Sequence, residues 1–193
     1  MINNSQLKLL FILIIFTFPF IISYFILDDY NSGQDLQTTN YGEFIDPPIN
    51  IKSINTPVFD KEEDPEDVFN KKWTLIQFES NICSKRCSDT TFLLKQINIA
   101  LGKDMKRIQR VFLSYNKMES IGISTMIDNY PNLILINNEP RDLHIMINKI
   151  SNNESAVLLV DPLGNVILKY RDDFNGKKLL KDLKKLLKLS RVG

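Results

Sequence analysis

Cys83 and Cys87 are the only cysteines in this 193-residue chain, set in Ser80-Asn81-Ile82-Cys83-Ser84-Lys85-Arg86-Cys87-Ser88. A short apolar run, WTLIQF at residues 73–78, precedes them. A stretch with helical spacing follows, with Phe92, Leu93, Gln96, Ile97, Ala100 and Leu101 recurring on one face. A thiol at a helix N-terminus faces the positive end of the helix dipole, which favours thiolate. Lys85 and Arg86 add positive charge. Residues four apart share a helix face, and one turn can bring two Cα atoms within the roughly 4.4–6.8 Å that a disulfide needs. Two chemistries are open to such a pair. One is thiol–disulfide exchange, with Cys83 attacking and Cys87 resolving. The other is Cu(I) binding, because soft thiolates select that ion. A purely structural disulfide is the competing reading. Closing so short a loop removes little chain entropy, and a domain of about 120–150 residues can build a core without staples. The placement therefore points to chemistry.

Other groups offer less. His144 is the sole histidine, within a helical stretch at 142–150, so there is no Ser/His/Asp arrangement to develop. It is a substitute metal ligand only if that helix folds toward the cysteines; a surface or partly buried helix residue is the plainer reading. Met118, Met126 and Met146 are soft donors, but scattered methionines usually fill cores. Glu79 is either a proton shuttle or a solvated strand-end carboxylate, and the second reading is preferred. Trp73 reads as core. No glycine-rich phosphate loop is present. Charge is nearly balanced, 24 basic against 23 acidic residues, which argues against a nucleic-acid partner. The basic residues gather late, at Lys177, Lys178, Lys181, Lys184, Lys185 and Lys188, where a solvated helix face is preferred to a lipid or protein contact.

The elements that must hold the cysteines follow from pattern. Residues 73–78, 107–114, 133–136, 156–160 and 166–170 read as strands. Residues 88–101, 120–129, 140–150 and 177–188 read as helices, with Gly102 closing the first. Asp161-Pro162-Leu163-Gly164-Asn165 is turn chemistry joining the last two strands as a hairpin. Strands alternating with helices, then a hairpin and a final helix, give an α/β sandwich around a mixed central sheet, the order of thioredoxin-like folds.

Residues 9–27, LLFILIIFTFPFIISYFIL, carry no charge and are long enough to cross a bilayer. Lys8 precedes them and Asp28 and Asp29 follow, so residues 1–8 are expected in the cytoplasm and the remainder outside. The run is long for a cleaved signal peptide and lacks an A-x-A-like site. Residues 28–46 are polar and read as a flexible tether. Residues 49–59 contain a short extended piece, and the folded domain is expected over 47–193.

At this point the chain resembles the Sco/SenC family of thioredoxin-fold proteins of cytochrome c oxidase assembly. The resemblance runs from about Pro47 to the end. It rests on Lys72-Trp73-Thr74-Leu75, on Cys83-x-x-x-Cys87, and on Ala156-Val157-Leu158-Leu159-Val160-Asp161-Pro162-Leu163-Gly164-Asn165. A small proteobacterial branch of oxidase-biogenesis proteins looks closest, through Ala100-Leu101-Gly102-Lys103-Asp104 and the ending at 185–193. The resemblance implies that Cys83 and Cys87 are redox-active and ligate copper as Cu(I). It also implies an oxidase subunit or another assembly factor as partner, and a single-pass protein of the bacterial inner membrane with its domain in the periplasm. It further implies a histidine just before the strand at 156–160. Asn153 stands there instead, and asparagine is a poor copper ligand, so thiol chemistry is the part that carries over intact. The alternatives are a metal-free thiol–disulfide oxidoreductase, weakened by the lack of proline at 150–155, and a non-catalytic membrane-tethered scaffold.

Overall fold

Seven consecutive residues of the first cysteine-proximal strand, Trp73–Glu79, are buried on both faces, so this strand lies at the centre of the molecule. The computed structural model describes residues 3–31, 39–52, 69, 71–115, 120–137, 141–190 and 192. They fall into two units, Met1–Thr39 and Asn40–Gly193.

The first unit is the helix α1 (Asn4–Asn31), which contains Pro19. Within it, Gln6–Ile26 is long and apolar enough to cross a membrane, and none of it is buried. Its 21 residues rise about 31 Å, close to the thickness of a bilayer's hydrocarbon core. Thr17 satisfies its hydroxyl internally by donating to the Leu13 carbonyl at 2.9 Å.

The second unit is built on a six-stranded mixed sheet with strand order β1-β6-β5-β2-β3-β4. The strands are β1 (Glu43–Asn50), β2 (Trp73–Glu79), β3 (Ile108–Ser114), β4 (Leu133–Asn137), β5 (Ala156–Val160) and β6 (Asn165–Arg171). β2 pairs in parallel with β3, and β3 with β4; β5 runs antiparallel to β2 and to β6. The helices are α2 (Lys85–Ala100), α3 (Ser120–Asn129), α4 (Arg141–Ile150) and α5 (Gly176–Leu189). This is the expected thioredoxin-like sandwich with a mixed central sheet, preceded by one candidate membrane helix.

Side-chain alternation along the strands sorts the helices. Trp73, Leu75, Val157 and Leu159 pack with Leu94 and Ile97 of α2 and with Leu179, Leu183 and Leu187 of α5. Ile76, Phe78, Val111 and Leu158 face the other way and pack with Leu143 and Ile147 of α4. So α2 and α5 cover one face and α4 covers the opposite one.

Three boundaries differ from the sequence reading. α2 starts at Lys85, three residues before the expected 88, which brings Cys87 into its first turn. A 3-10 turn, Gly102–Arg107, separates α2 from β3. β1 begins at Glu43, inside the span read as tether, and pairs with β6. Pro47 and Pro48 obscure this strand in the sequence, yet prolines are tolerated on an edge strand, and the register slips between Phe44 and Ile49. Most of the extended piece expected at 49–59 lies outside the described residues.

Candidate active site

Ser84 caps α2 with extended backbone and without a side-chain hydrogen bond. The amide groups of the first turn are therefore not covered by the cap residue, and the positive end of the helix lies beside the preceding residue, Cys83. Cys83 and Cys87 form a disulfide with their Cα atoms 5.2 Å apart. The two sulfurs are unequal. Cys83 is half-buried, whereas Cys87 is 2% exposed and belongs to a cluster with Phe112, Ile123, Met126 and Leu135. Ile82, next to Cys83, is 84% exposed.

One polar residue of β2, Gln77, reaches the buried side of the pair. Gln77 Nε2 donates to the Cys87 carbonyl at 2.9 Å and to Glu79 Oε1 at 2.9 Å, and it lies 3.8 Å from Cys87 Sγ. The Thr91 hydroxyl lies 2.9 Å from Gln77 Oε1 and 3.0 Å from the Cys87 carbonyl. A cleft of about 290 Å³ opens beside Cys87, and Gln77, Glu79, Arg86, Ser155 and Asp172 are among its lining residues. Arg86 Nη1 donates to Asp172 Oδ2 at 2.6 Å, tying the first turn of α2 to the segment after β6. That hydrogen bond and the Asp172 charge hold the guanidinium above its ordinary value. Opposite, the Ser80 amide donates to Ser155 Oγ at 3.3 Å and fixes the loop after β2 against the start of β5.

The structure brings both predicted cysteines together and corrects two lesser readings. Glu79 is not a solvated strand-end carboxylate: it is 9% exposed, because β2 is flanked on both sides and Gln77 bonds it within the sheet. His144 is not a surface or partly buried residue: it is buried on α4, on the face of the sheet opposite α2, with Nε2 2.7 Å from the Ser114 carbonyl and an edge-on contact to the Tyr115 ring. Asn153 is exposed, with φ of 62°, and accepts a hydrogen bond from the Asn148 amide at 2.6 Å. Among the described residues no group of three or more His, Cys, Asp or Glu side chains could hold a metal ion. Met126 is core beside Cys87, Met146 is packed against the α4-side core, and Met118 lies outside the described residues. Trp73 is core as expected. Gln77 escaped the sequence reading. Its signal was available: a polar residue at the alternation position of Trp73 and Leu75, in a strand leading straight to the cysteines.

A central mixed sheet carrying a cysteine pair at the start of a flanking helix defines a thioredoxin-like protein with a disulfide-forming site. Residues 73–190 match the family described as the transmembrane-like, thioredoxin-like, C-terminal domain, and the chain belongs to that family. No curated protein sequence matches it. Among solved structures, yeast Sco1 with copper bound is 17% identical and aligns with a TM-score of 0.50 over 63% of this chain and 82% of its own. A SCO1/SenC family lipoprotein from Bacillus anthracis is 17% identical, with a TM-score of 0.50 over 74% and 99% of the two chains. BsSco, a member of the Sco family of cytochrome c oxidase assembly proteins, is 16% identical, with a TM-score of 0.50 over 76% and 99%. At these identities the likeness is one of fold.

Proposed function

We propose that the chain is a membrane-anchored, Sco-like assembly factor for cytochrome c oxidase that works by thiol–disulfide exchange at Cys83 and Cys87. The observation that carries this reading is the asymmetric disulfide pair at the N-terminus of α2, Cys83 half-buried and Cys87 buried, with a cleft opening beside Cys87. In the reduced form the Cys83 thiolate attacks a partner's disulfide, giving a mixed disulfide and one free partner thiolate. The Cys87 thiolate then attacks Cys83 Sγ. That step closes the intramolecular disulfide and expels the partner's second thiolate. The partner gains two electrons and two protons, and this chain loses them. The helix dipole, Lys85 and Arg86 favour the attacking thiolate. Exposed Ile82 offers the partner an apolar contact next to the reacting sulfur.

The fold likeness to yeast Sco1, solved with copper bound, and to BsSco supports the oxidase system as the setting. Copper fits this chain less well as a tightly held ion. Cys83 and Cys87 supply two thiolate donors, while Asn153 replaces the expected imidazole and His144 is engaged elsewhere. Cu(I) would be cargo held by Cys83 and Cys87, with any third donor coming from the partner. The length and apolar surface of α1 support the anchor, and Lys8 against Asp28 and Asp29 supports an inner-membrane protein with residues 1–8 in the cytoplasm and its domain in the periplasm.

The test is alkylation of the reduced full chain in detergent. Cys83 should react at least about tenfold faster than Cys87 near pH 7, and the protein should reduce a model disulfide, with Cys83→Ser inactive. Two thiols that resist alkylation equally would overturn the exchange mechanism. Anaerobic Cu(I) titration of the same sample separates the metal reading: stoichiometric binding lost in Cys83→Ser supports it, and no binding at micromolar copper removes it.

A further inference from the structure

All six lysines of α5, at positions 177, 178, 181, 184, 185 and 188, are exposed. With a residue every 100° or so, they fall within a single arc of about 120° along about 16 Å of helix. Leu179, Leu183 and Leu187 occupy the buried side. The helix's one acid, Asp182, is buried with them and accepts from the amides of Tyr41 and Gly42 and from the Tyr170 hydroxyl. Among the described residues, Lys177, Lys178, Lys181, Lys184 and Lys188 enter no ion pair. Like charges three and four positions apart repel, and here they recur along the whole arc in a chain whose net charge is only +1. A merely solvated helix gains nothing from that arrangement. An anionic surface relieves it.

The chain enters the domain at the same place. Asp182 holds the Tyr41 and Gly42 amides at 2.8 and 3.1 Å, and the Lys178 and Lys181 ammonium groups sit 5.2 and 5.4 Å from the Tyr41 ring centroid. Residues 32–40 connect this entry point to the end of α1, and fully extended they reach no more than about 32 Å. We infer that the lysine arc of α5 binds the anionic headgroups of the bilayer that α1 enters. The inference rests on the reading of α1 as a membrane anchor. Juxtamembrane basic groups gain affinity for anionic lipid residue by residue, so the arc would set which side of the domain faces the bilayer and leave the disulfide cleft for a partner.

The experiment uses the full chain in bilayer discs of phosphatidylcholine alone or with phosphatidylglycerol, and reads the acetylation rate of each lysine by mass spectrometry. With the anionic lipid at low salt, the α5 lysines should react at least about threefold more slowly than with phosphatidylcholine alone. Lys149, on α4, should react equally in both discs. The protection should vanish near 1 M salt, where the screening length is about 3 Å. A Lys181→Glu/Lys184→Glu/Lys188→Glu variant should lose protection at Lys177 and Lys178. Equal α5 rates in both lipids, with the chain retained in the discs, overturn the inference and leave the anchor reading standing. A chain that separates from discs of both compositions overturns the two together. Protection seen only in native membranes that carry other proteins overturns the lipid assignment in favour of an acidic protein.

Discussion

Replacing Gln77 by leucine would remove the one amide that serves both the Cys87 carbonyl and the Glu79 carboxylate. The carbonyl keeps the Thr91 hydroxyl within reach, but the buried carboxylate oxygen loses its donor. An unsatisfied buried polar group costs about 1–3 kcal/mol, so Gln77→Leu should lower unfolding stability by roughly that amount in a urea titration. The variant should also loosen the floor beneath Cys87, seen as faster alkylation of that thiol in the reduced protein. Unchanged stability would mean that Glu79 finds another donor. The Arg86–Asp172 pair at the other side of the cleft is a weaker element: Arg86 is mostly exposed, and exposed ion pairs contribute little.

At the scale of elements, α5 is fastened to β6 and to the chain entering β1 through Asp182 and Tyr170. Burial, the Asp182 charge and the hydrogen bond from the phenol push the Tyr170 ionisation well above its ordinary value. In the unfolded chain the phenol ionises near pH 10; in the folded domain it stays protonated beyond that. The folded state therefore holds a proton that the unfolded state releases. The stability tied to this group is fully present below about pH 10 and declines as the pH rises above it. Tyr170→Phe should cost about 1–2 kcal/mol at neutral pH, and the gap between wild type and variant should narrow between about pH 10 and 11.5. A gap that stays constant across that range would contradict the account. The β5–β6 turn makes a second case. Asp161 Oδ1 accepts from the Leu163 and Asn165 amides, and Gly164 sits at φ of 86° with Lys52 packed where a Cβ would go, 2.7 Å away. Gly164→Ala combines backbone strain with that clash and should destabilise by about 1–3 kcal/mol in thermal or urea unfolding.

For the whole molecule, the expected organisation is a short cytoplasmic N-terminus, one membrane span and an external domain. The structure moves one limit, since the domain takes up the chain from about Asn40, through Tyr41, Gly42 and β1, and not from 47. In cells the chain should stay in the pellet after alkaline carbonate extraction. Protease added to spheroplasts should digest the domain while sparing it in intact cells. Release by carbonate would point to a cleaved or peripheral protein.

The sequence by itself determined the elements whose signals are local. The run at 73–78, the apolar run of β5, the turn at 161–165 and the leucine stripe of α5 each carry their signal within a dozen residues. The cysteine pair at a strand-to-helix junction was readable for the same reason. What tertiary structure decided involves groups that meet across the fold. Glu79 is a strand-end carboxylate until β3 and β5 flank its strand and Gln77 turns to bond it. His144 can be weighed as a ligand until α4 packs on the sheet face away from α2. β1 is invisible behind Pro47 and Pro48 because its warrant is pairing with β6, far along the chain. Local pattern fixes how a segment folds back on itself, but burial and partnership depend on which distant segment arrives beside it.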